Sequence, residues 1–154
     1  MNLNKFWKLI ISIIIPFLAS VIGSLFTASS VSTWYVELIK PSFNPPSWVF
    51  GPVWTILYLF MGISLYLVWT STFNKKAITF FGIQLTLNVI WSILFFGLQQ
   101  PLFAFIEIIF LWVFILLTII YFYKINKTAS YLLMPYILWV TFAAVLNLAI
   151  FLLN

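Results

Sequence analysis

The chain has 154 residues, 65% of them hydrophobic and 6% charged, with a formal net charge of +5. Soluble domains carry about 25% charged residues, so seven lysines and two glutamates cannot cover a water-facing surface, and a soluble fold is excluded. His, Cys and Arg are all absent, which removes the imidazole and thiolate ligands of zinc, copper, iron–sulfur and the usual haem sites, as well as Ser-His and Cys-His nucleophiles.

A hydrocarbon core about 30 Å thick needs roughly 20 apolar residues of helix, and lipid forces the backbone to bond within its own segment. The expected fold is therefore all-α, an integral membrane bundle of five transmembrane helices in one domain spanning 1–154. Runs such as Leu9–Ile15 and Ile106–Ile120 do not alternate as barrel strands would. The helices are expected at about 6–27, 46–70, 77–98, 101–123 and 128–152, with an outer loop at 28–45.

Helix 1 follows Lys5 and Lys8. A cleaved signal peptide has the same start, but its apolar region spans about 7–15 residues, and this run is longer, so helix 1 is expected to stay. Ser12, Pro16, Ser20 and Ser24 form one small-residue row, with Ala19, Gly23 and Thr27 beside it, which permits close packing within the bundle or in a homodimer.

The outer loop carries Trp34, Tyr35, Glu37, Lys40, Pro41, Phe43 and Pro45. Its prolines fix φ and limit unfolded entropy, so it reads as a shaped cover over the bundle mouth. Pro46 suits the first position of helix 2, where its missing N–H is not needed. In helix 3, Gln84, Asn88, Trp91, Ser92 and Phe95 recur at spacings of three and four and share one face. A lone amide in a membrane helix is most simply interhelical glue. Here the face lies level with deep tryptophans, and helix 5 offers Trp139, Phe142, Ala143, Leu146 and Asn147 at matching spacing, which describes an aromatic-walled small-molecule cavity. Helix 4 holds Glu107, for which a structural or hydrogen-bonding role is expected ahead of a catalytic one.

Six lysines, Lys5, Lys8, Lys75, Lys76, Lys124 and Lys127, fall on one side of a five-helix serpentine, against Lys40 on the other. Lys-rich short loops stay cytoplasmic, so a cell-membrane protein with its N-terminus cytoplasmic and C-terminus external is expected. The positive charge is thereby a topology signal, and no nucleic-acid partner is expected. Trp7, Trp69, Tyr121, Tyr123 and Tyr131 sit near helix ends and fit an interfacial belt. Trp54, Trp91, Trp112 and Trp139 lie deeper, about 12, 11, 16 and 20 Å from the outer helix ends at about 1.5 Å per residue, and their indole N–H groups need partners.

These residues also carry a resemblance. Trp34-Tyr35, Leu38, Lys40-Pro41, Phe43, Pro45-Pro46, Trp48, Phe50-Gly51-Pro52-Val53-Trp54 and Leu57-Tyr58 resemble the signature of the TspO/MBR family, the tryptophan-rich sensory and translocator proteins. The likeness continues through Gln84, Asn88, Trp91-Ser92, Phe95-Phe96, Pro135-Tyr136, Trp139, Phe142-Ala143 and Leu146-Asn147. It implies a five-helix bundle that binds porphyrins such as protoporphyrin IX and benzodiazepine-receptor-type ligands, takes part in light- and oxygen-dependent porphyrin breakdown, and forms homodimers. The sterol motif of animal members is missing, because no Lys or Arg follows Lys127.

Ligand contacts are expected at Trp34, Pro45, Trp48, Trp54, Asn88, Trp91, Trp139, Ala143 and Asn147, with Trp54 and Trp139 carrying any photochemistry. No cofactor or metal is required; the porphyrin, metal-free since axial His or Cys ligands are absent, is ligand or substrate. Any enzymatic activity is expected to be photo-oxidative. Passive transport of porphyrins or other lipophiles, and ligand sensing through a partner, are the alternatives. Transport ranks lower because the polar groups cluster in the outer half without an inner exit.

Overall fold

The computed structural model describes residues 4–154, whose regular elements are all helical. Five segments are long and apolar enough to cross a membrane. Helix α1 is Lys5–Val31 and a short α2 is Trp34–Glu37; a 3₁₀ turn, Ser47–Val49, feeds α3, Phe50–Ser71. Helix α4, Lys75–Ser92, runs on as a π-helical turn over Ile93–Gly97, and α5 is Pro101–Tyr123. The last span is α6, Lys127–Leu132, then α7, Met134–Leu153.

Local chemistry explains these boundaries. Asn4, Asn74 and Asn126 cap the starts of α1, α4 and α6, accepting from the backbone N–H of Trp7, Ala77 and Ala129 at 3.0, 3.1 and 3.0 Å. The final span breaks at Leu133 because Pro135, in the first turn of α7, cannot donate to a preceding carbonyl. Gln99 turns the chain between α4 and α5 with φ of 54°, and Pro101 opens α5. Two features depart from the sequence expectation. The 28–45 stretch is less open than a loop: α1 extends to Val31 and α2 occupies part of it. Pro46 does not begin the α-helix, since its ψ of 142° is extended, and regular helix starts at Phe50.

Around the bundle, α1 packs on α3 and α4, α4 on α5, α5 on α6 and α7, and α6 on α3. Helices α1 and α3 cross closely: a Cβ on Gly62 would lie 2.9 Å from the Cα of Ile13. Ser64 Oγ donates to the Ala129 carbonyl at 2.6 Å, joining α3 to α6, and Ser130 Oγ donates to Ile119 at 3.1 Å, joining α6 to α5. The half of the bundle at this lysine-bearing end is solidly packed, with Met61, Val68, Ile115 and Phe122 wholly buried. At the other end α3 and α7 are joined through aromatic side chains, Trp54 to Tyr136 at 6.2 Å and Phe50 to Trp139 at 6.0 Å. Leu18, Leu25, Phe103 and Leu138 are exposed on the outer faces, as a lipid-facing surface requires.

The long connection closes that second end. Tyr35 is buried against Phe95 and Phe96, and its hydroxyl donates to Asn44 Oδ1 at 2.8 Å. Burial pushes the Tyr35 phenol above its ordinary pKa. Lys40 lies 4.9 Å from the centre of the Tyr35 ring and donates to the Val36 and Leu38 carbonyls. Asn154 clamps the connection, accepting from Ile39 N–H and donating to the Ile39 carbonyl, each at 3.0 Å.

Candidate functional site

Where α3 and α7 part, a cavity of about 320 Å³ opens in the loop-end half of the bundle. Four spans wall it. Ser20, Gly23, Ser24 and Thr27 come from α1, and Phe50, Gly51, Trp54, Thr55 and Tyr58 from α3. Asn88, Trp91, Ser92 and Phe95 come from α4, and Trp139, Ala143, Leu146 and Asn147 from α7, while Tyr35 roofs it. Helix α5 lies behind α4 and α7 and supplies none of the lining. Ser24, Gly51 and Thr55 line the cavity yet are exposed, so the wall between α1 and α3 is incomplete near the loop end.

The aromatic walls are mutually braced. Trp91 stacks on Phe95 at 5.0 Å and 16°, a contact carried by the α4 segment where the helix widens into its π turn. Such turns recur at functional sites because they re-aim side chains. Trp54 lies 5.5 Å from Tyr58, and Trp139 lies 5.4 Å from Phe142. Trp91 Nε1 donates to Asn147 Oδ1 at 3.1 Å, and Asn147 Nδ2 donates to the Pro101 carbonyl at 2.8 Å, tying α4, α7 and the start of α5 together. Among the described residues, Trp54 and Trp139 spend their indole N–H on no partner in the chain, so both donors remain for a ligand.

The floor is polar. Tyr58 Oη donates to Asn88 Oδ1, Asn88 Nδ2 donates to Tyr136 Oη at 3.1 Å, and Tyr136 Oη donates to Gln84 Oε1 at 2.9 Å. Tyr58 and Asn88 face the cavity, whereas Tyr136 and Gln84 lie behind them, each 1% exposed. The polar face of α4 is therefore both interhelical glue and cavity floor.

Of the nine residues expected from sequence, Trp54, Asn88, Trp91, Trp139, Ala143 and Asn147 line this one cavity. Trp34, Pro45 and Trp48 do not. Trp34 packs edge-on against Phe95 at 5.6 Å, Pro45 offers its carbonyl to Asn44 Nδ2 at 3.1 Å, and Trp48 is 75% exposed at the rim. The helical turn of α2 points neighbouring side chains about 100° apart, so Tyr35 takes the inward place in that stretch; in the 3₁₀ turn, Ser47 lines the cavity in place of Trp48. Trp112, deep by count, points away from the cavity and donates to Thr141 Oγ1 at 2.8 Å. Glu107 is buried, but neither carboxyl oxygen has a hydrogen-bond partner among the described residues, so the hydrogen-bonding role expected for it is not seen. Tyr58 and Tyr136, carried only by the resemblance, and the α1 row around Gly23, read from sequence as a packing surface, were not expected at the site. Tyr58 stands four residues after Trp54, a spacing that shares its face, and was the available signal.

Comparison with known proteins agrees with this arrangement. The sequence model of the TspO/MBR family matches residues 12–153. The chain is 51% identical over 150 residues to the tryptophan-rich protein TspO of Archaeoglobus fulgidus, covering 96% of this chain and 97% of that one. It is 38% identical to the human translocator protein over 86% of this chain and 81% of the human one. It is 35% identical to the tryptophan-rich sensory protein of Cereibacter sphaeroides over 74% and 72% of the two chains.

Proposed function

The chain belongs to the TspO/MBR family, and from that premise we propose that its cavity binds a metal-free tetrapyrrole, protoporphyrin IX, and promotes its light- and oxygen-dependent degradation. The observation that carries this reading is the joining of six expected residues, three tryptophans, two asparagines and Ala143, from three spans around one cavity. A flat conjugated ring is matched by indole and phenyl faces, which attract it by stacking and by apolar burial. The free indole N–H groups of Trp54 and Trp139 give it orientation. A porphyrin absorbs light itself, so the chain supplies proximity: Trp54 and Trp139 stand at the ligand as the side chains most easily oxidised by an excited porphyrin or by the oxygen it activates. Benzodiazepine-receptor-type ligands, also flat and aromatic, would occupy the same volume.

The solid packing of the lysine-bearing half favours binding over passage. Met61, Val68, Ile115 and Phe122, below the polar floor, are wholly buried. In the same reading the lysine-bearing end faces the cytoplasm and the covered end faces outward, following the placement of charge. The test is illumination of purified protein with protoporphyrin IX while its absorbance is followed. Bleaching faster than with an unrelated membrane protein supports the proposal. Bleaching at the same rate defeats the degradation step, and flux into proteoliposomes then becomes the measurement to make.

A further inference from the structure

The floor of the cavity has a direction. Each hydroxyl and amide in the chain Tyr58, Asn88, Tyr136, Gln84 donates to the next, so every donor points away from the cavity. Two consequences follow from the donor inventory. At the cavity end, Tyr58 Oη keeps lone pairs but no free proton, so it offers a ligand an acceptor. At the blind end, Gln84 Nε2 is buried with no partner among the described residues. An orphaned buried amide donor is costly, and buried N–H groups left unpaired are rarer than under-satisfied carbonyls.

The opposite direction needs almost the same heavy-atom positions. If both amides turn over, Gln84 Nε2 donates to Tyr136 Oη, Tyr136 Oη donates to Asn88 Oδ1, and Asn88 Nδ2 donates to Tyr58 Oη. The buried orphan is then a carbonyl oxygen, and the Tyr58 O–H is free to point into the cavity. We propose that this chain is a reversible hydrogen-bond floor, which lets the cavity take ligands presenting either a donor or an acceptor. Tyr58 is the residue that touches them and Gln84 the residue that sets the direction. The inference rests on the reading that this cavity is the ligand site. It also gives that reading chemical content, because a metal-free tetrapyrrole carries both N–H donors and imine nitrogen acceptors at its centre, and either can meet such a floor.

Three rigid tricycles of one shape separate the terms: carbazole presents an N–H, fluorenone a carbonyl, and fluorene neither. Their binding to purified protein is followed by quenching of the cavity tryptophans. The parent is expected to hold carbazole and fluorenone each about fivefold tighter than fluorene, the factor that one neutral hydrogen bond gives. Tyr58→Phe should bring carbazole down to the fluorene level, weaken fluorenone to what the Trp54 and Trp139 N–H groups still give it, and leave fluorene unchanged. Gln84→Met, close in volume but apolar, removes the terminal acceptor, so Tyr136 must donate to Asn88. The floor is then locked with the Tyr58 O–H toward the cavity and one of its two lone pairs taken by Asn88, so carbazole should lose part of its advantage while fluorenone keeps its own. Equal binding of all three tricycles by the parent, binding of none, or equal loss of carbazole and fluorenone in Gln84→Met would each overturn the proposal. Protoporphyrin IX titrated against the same proteins reports separately. A parent that sorts the tricycles but does not bind protoporphyrin IX overturns the tetrapyrrole reading and leaves the reversible floor supported.

Discussion

Replacing Trp54 and Trp139 by Phe together tests whether indole chemistry, and not mere occupancy, drives porphyrin breakdown. Both residues are partly buried in the cavity wall, and each keeps an aromatic neighbour that a Phe ring can still touch: Tyr58 at 5.5 Å for Trp54, and Phe142 at 5.4 Å for Trp139. Phe preserves an apolar face, so the loss of binding is limited to two indole N–H donors and part of the stacking area. At about 1 kcal/mol for each of two neutral hydrogen bonds, with a total held within the roughly 1–3 kcal/mol that base–aromatic stacking losses span, affinity should fall by about one and a half to two orders of magnitude. Ligand can then be raised to saturation. Under that condition the light-driven loss of porphyrin absorbance should fall much further than binding does, because Phe is far harder to oxidise than indole. The assay is bleaching under constant illumination, with bound porphyrin quantified in the same sample. A double variant that binds porphyrin and bleaches it at the parent rate refutes the assignment of these two tryptophans.

Other expectations follow from single contacts. Asn88→Ala strips Tyr58 and Tyr136 of their shared partner, and buried groups left unpaired cost about 1–3 kcal/mol, so the purified protein should unfold earlier on heating as well as bind ligand less tightly. Gly62→Ala puts a methyl group 2.9 Å from the Ile13 backbone; overpacking of this kind costs about 1–3 kcal/mol, and the same thermal scan should show it, whereas Gly51→Ala, with nothing within 4 Å of the new Cβ, should leave stability nearly unchanged. Reporter fusions at the two ends should place the N-terminus in the cytoplasm and the C-terminus outside, and a C-terminal fusion active only in the cytoplasm would reverse the topology.

Much of the fold was legible because membrane helices write their own boundaries. Apolar length marks the spans, whereas the asparagine caps at Asn4, Asn74 and Asn126 came only with the structure. The break at Leu133 was missed although Pro135 signals it, and the π turn at Ile93–Gly97 was not legible, since it falls inside an apolar run. The cavity was half legible. Periodicity put Asn88, Trp91, Ala143 and Asn147 on inward faces, because a 3.6-residue repeat fixes direction within a helix. It could not fix direction in the connection, where Trp34 and Trp48 turn out of the cavity and Tyr35 turns into it. Nor could counting along one helix decide the fate of Trp112, whose outward face depends on how α5 is rotated in the bundle. The role of Tyr58 needed the third dimension: its partner Asn88 is thirty residues away and the next, Tyr136, is on another helix again.

The central claim is that the cavity itself holds the tetrapyrrole, and filling it is the most direct test. Ala143 lines the wall on α7 between Trp139 and Asn147, where an indole would project into the open volume. Protoporphyrin IX is titrated into parent and Ala143→Trp protein, with quenching of tryptophan fluorescence as the signal and thermal unfolding as the control for an intact fold. Saturable quenching is expected in the parent, with at least a tenfold loss of affinity in a variant that still unfolds cooperatively. Equal affinity in the two folded proteins would place the porphyrin outside this cavity.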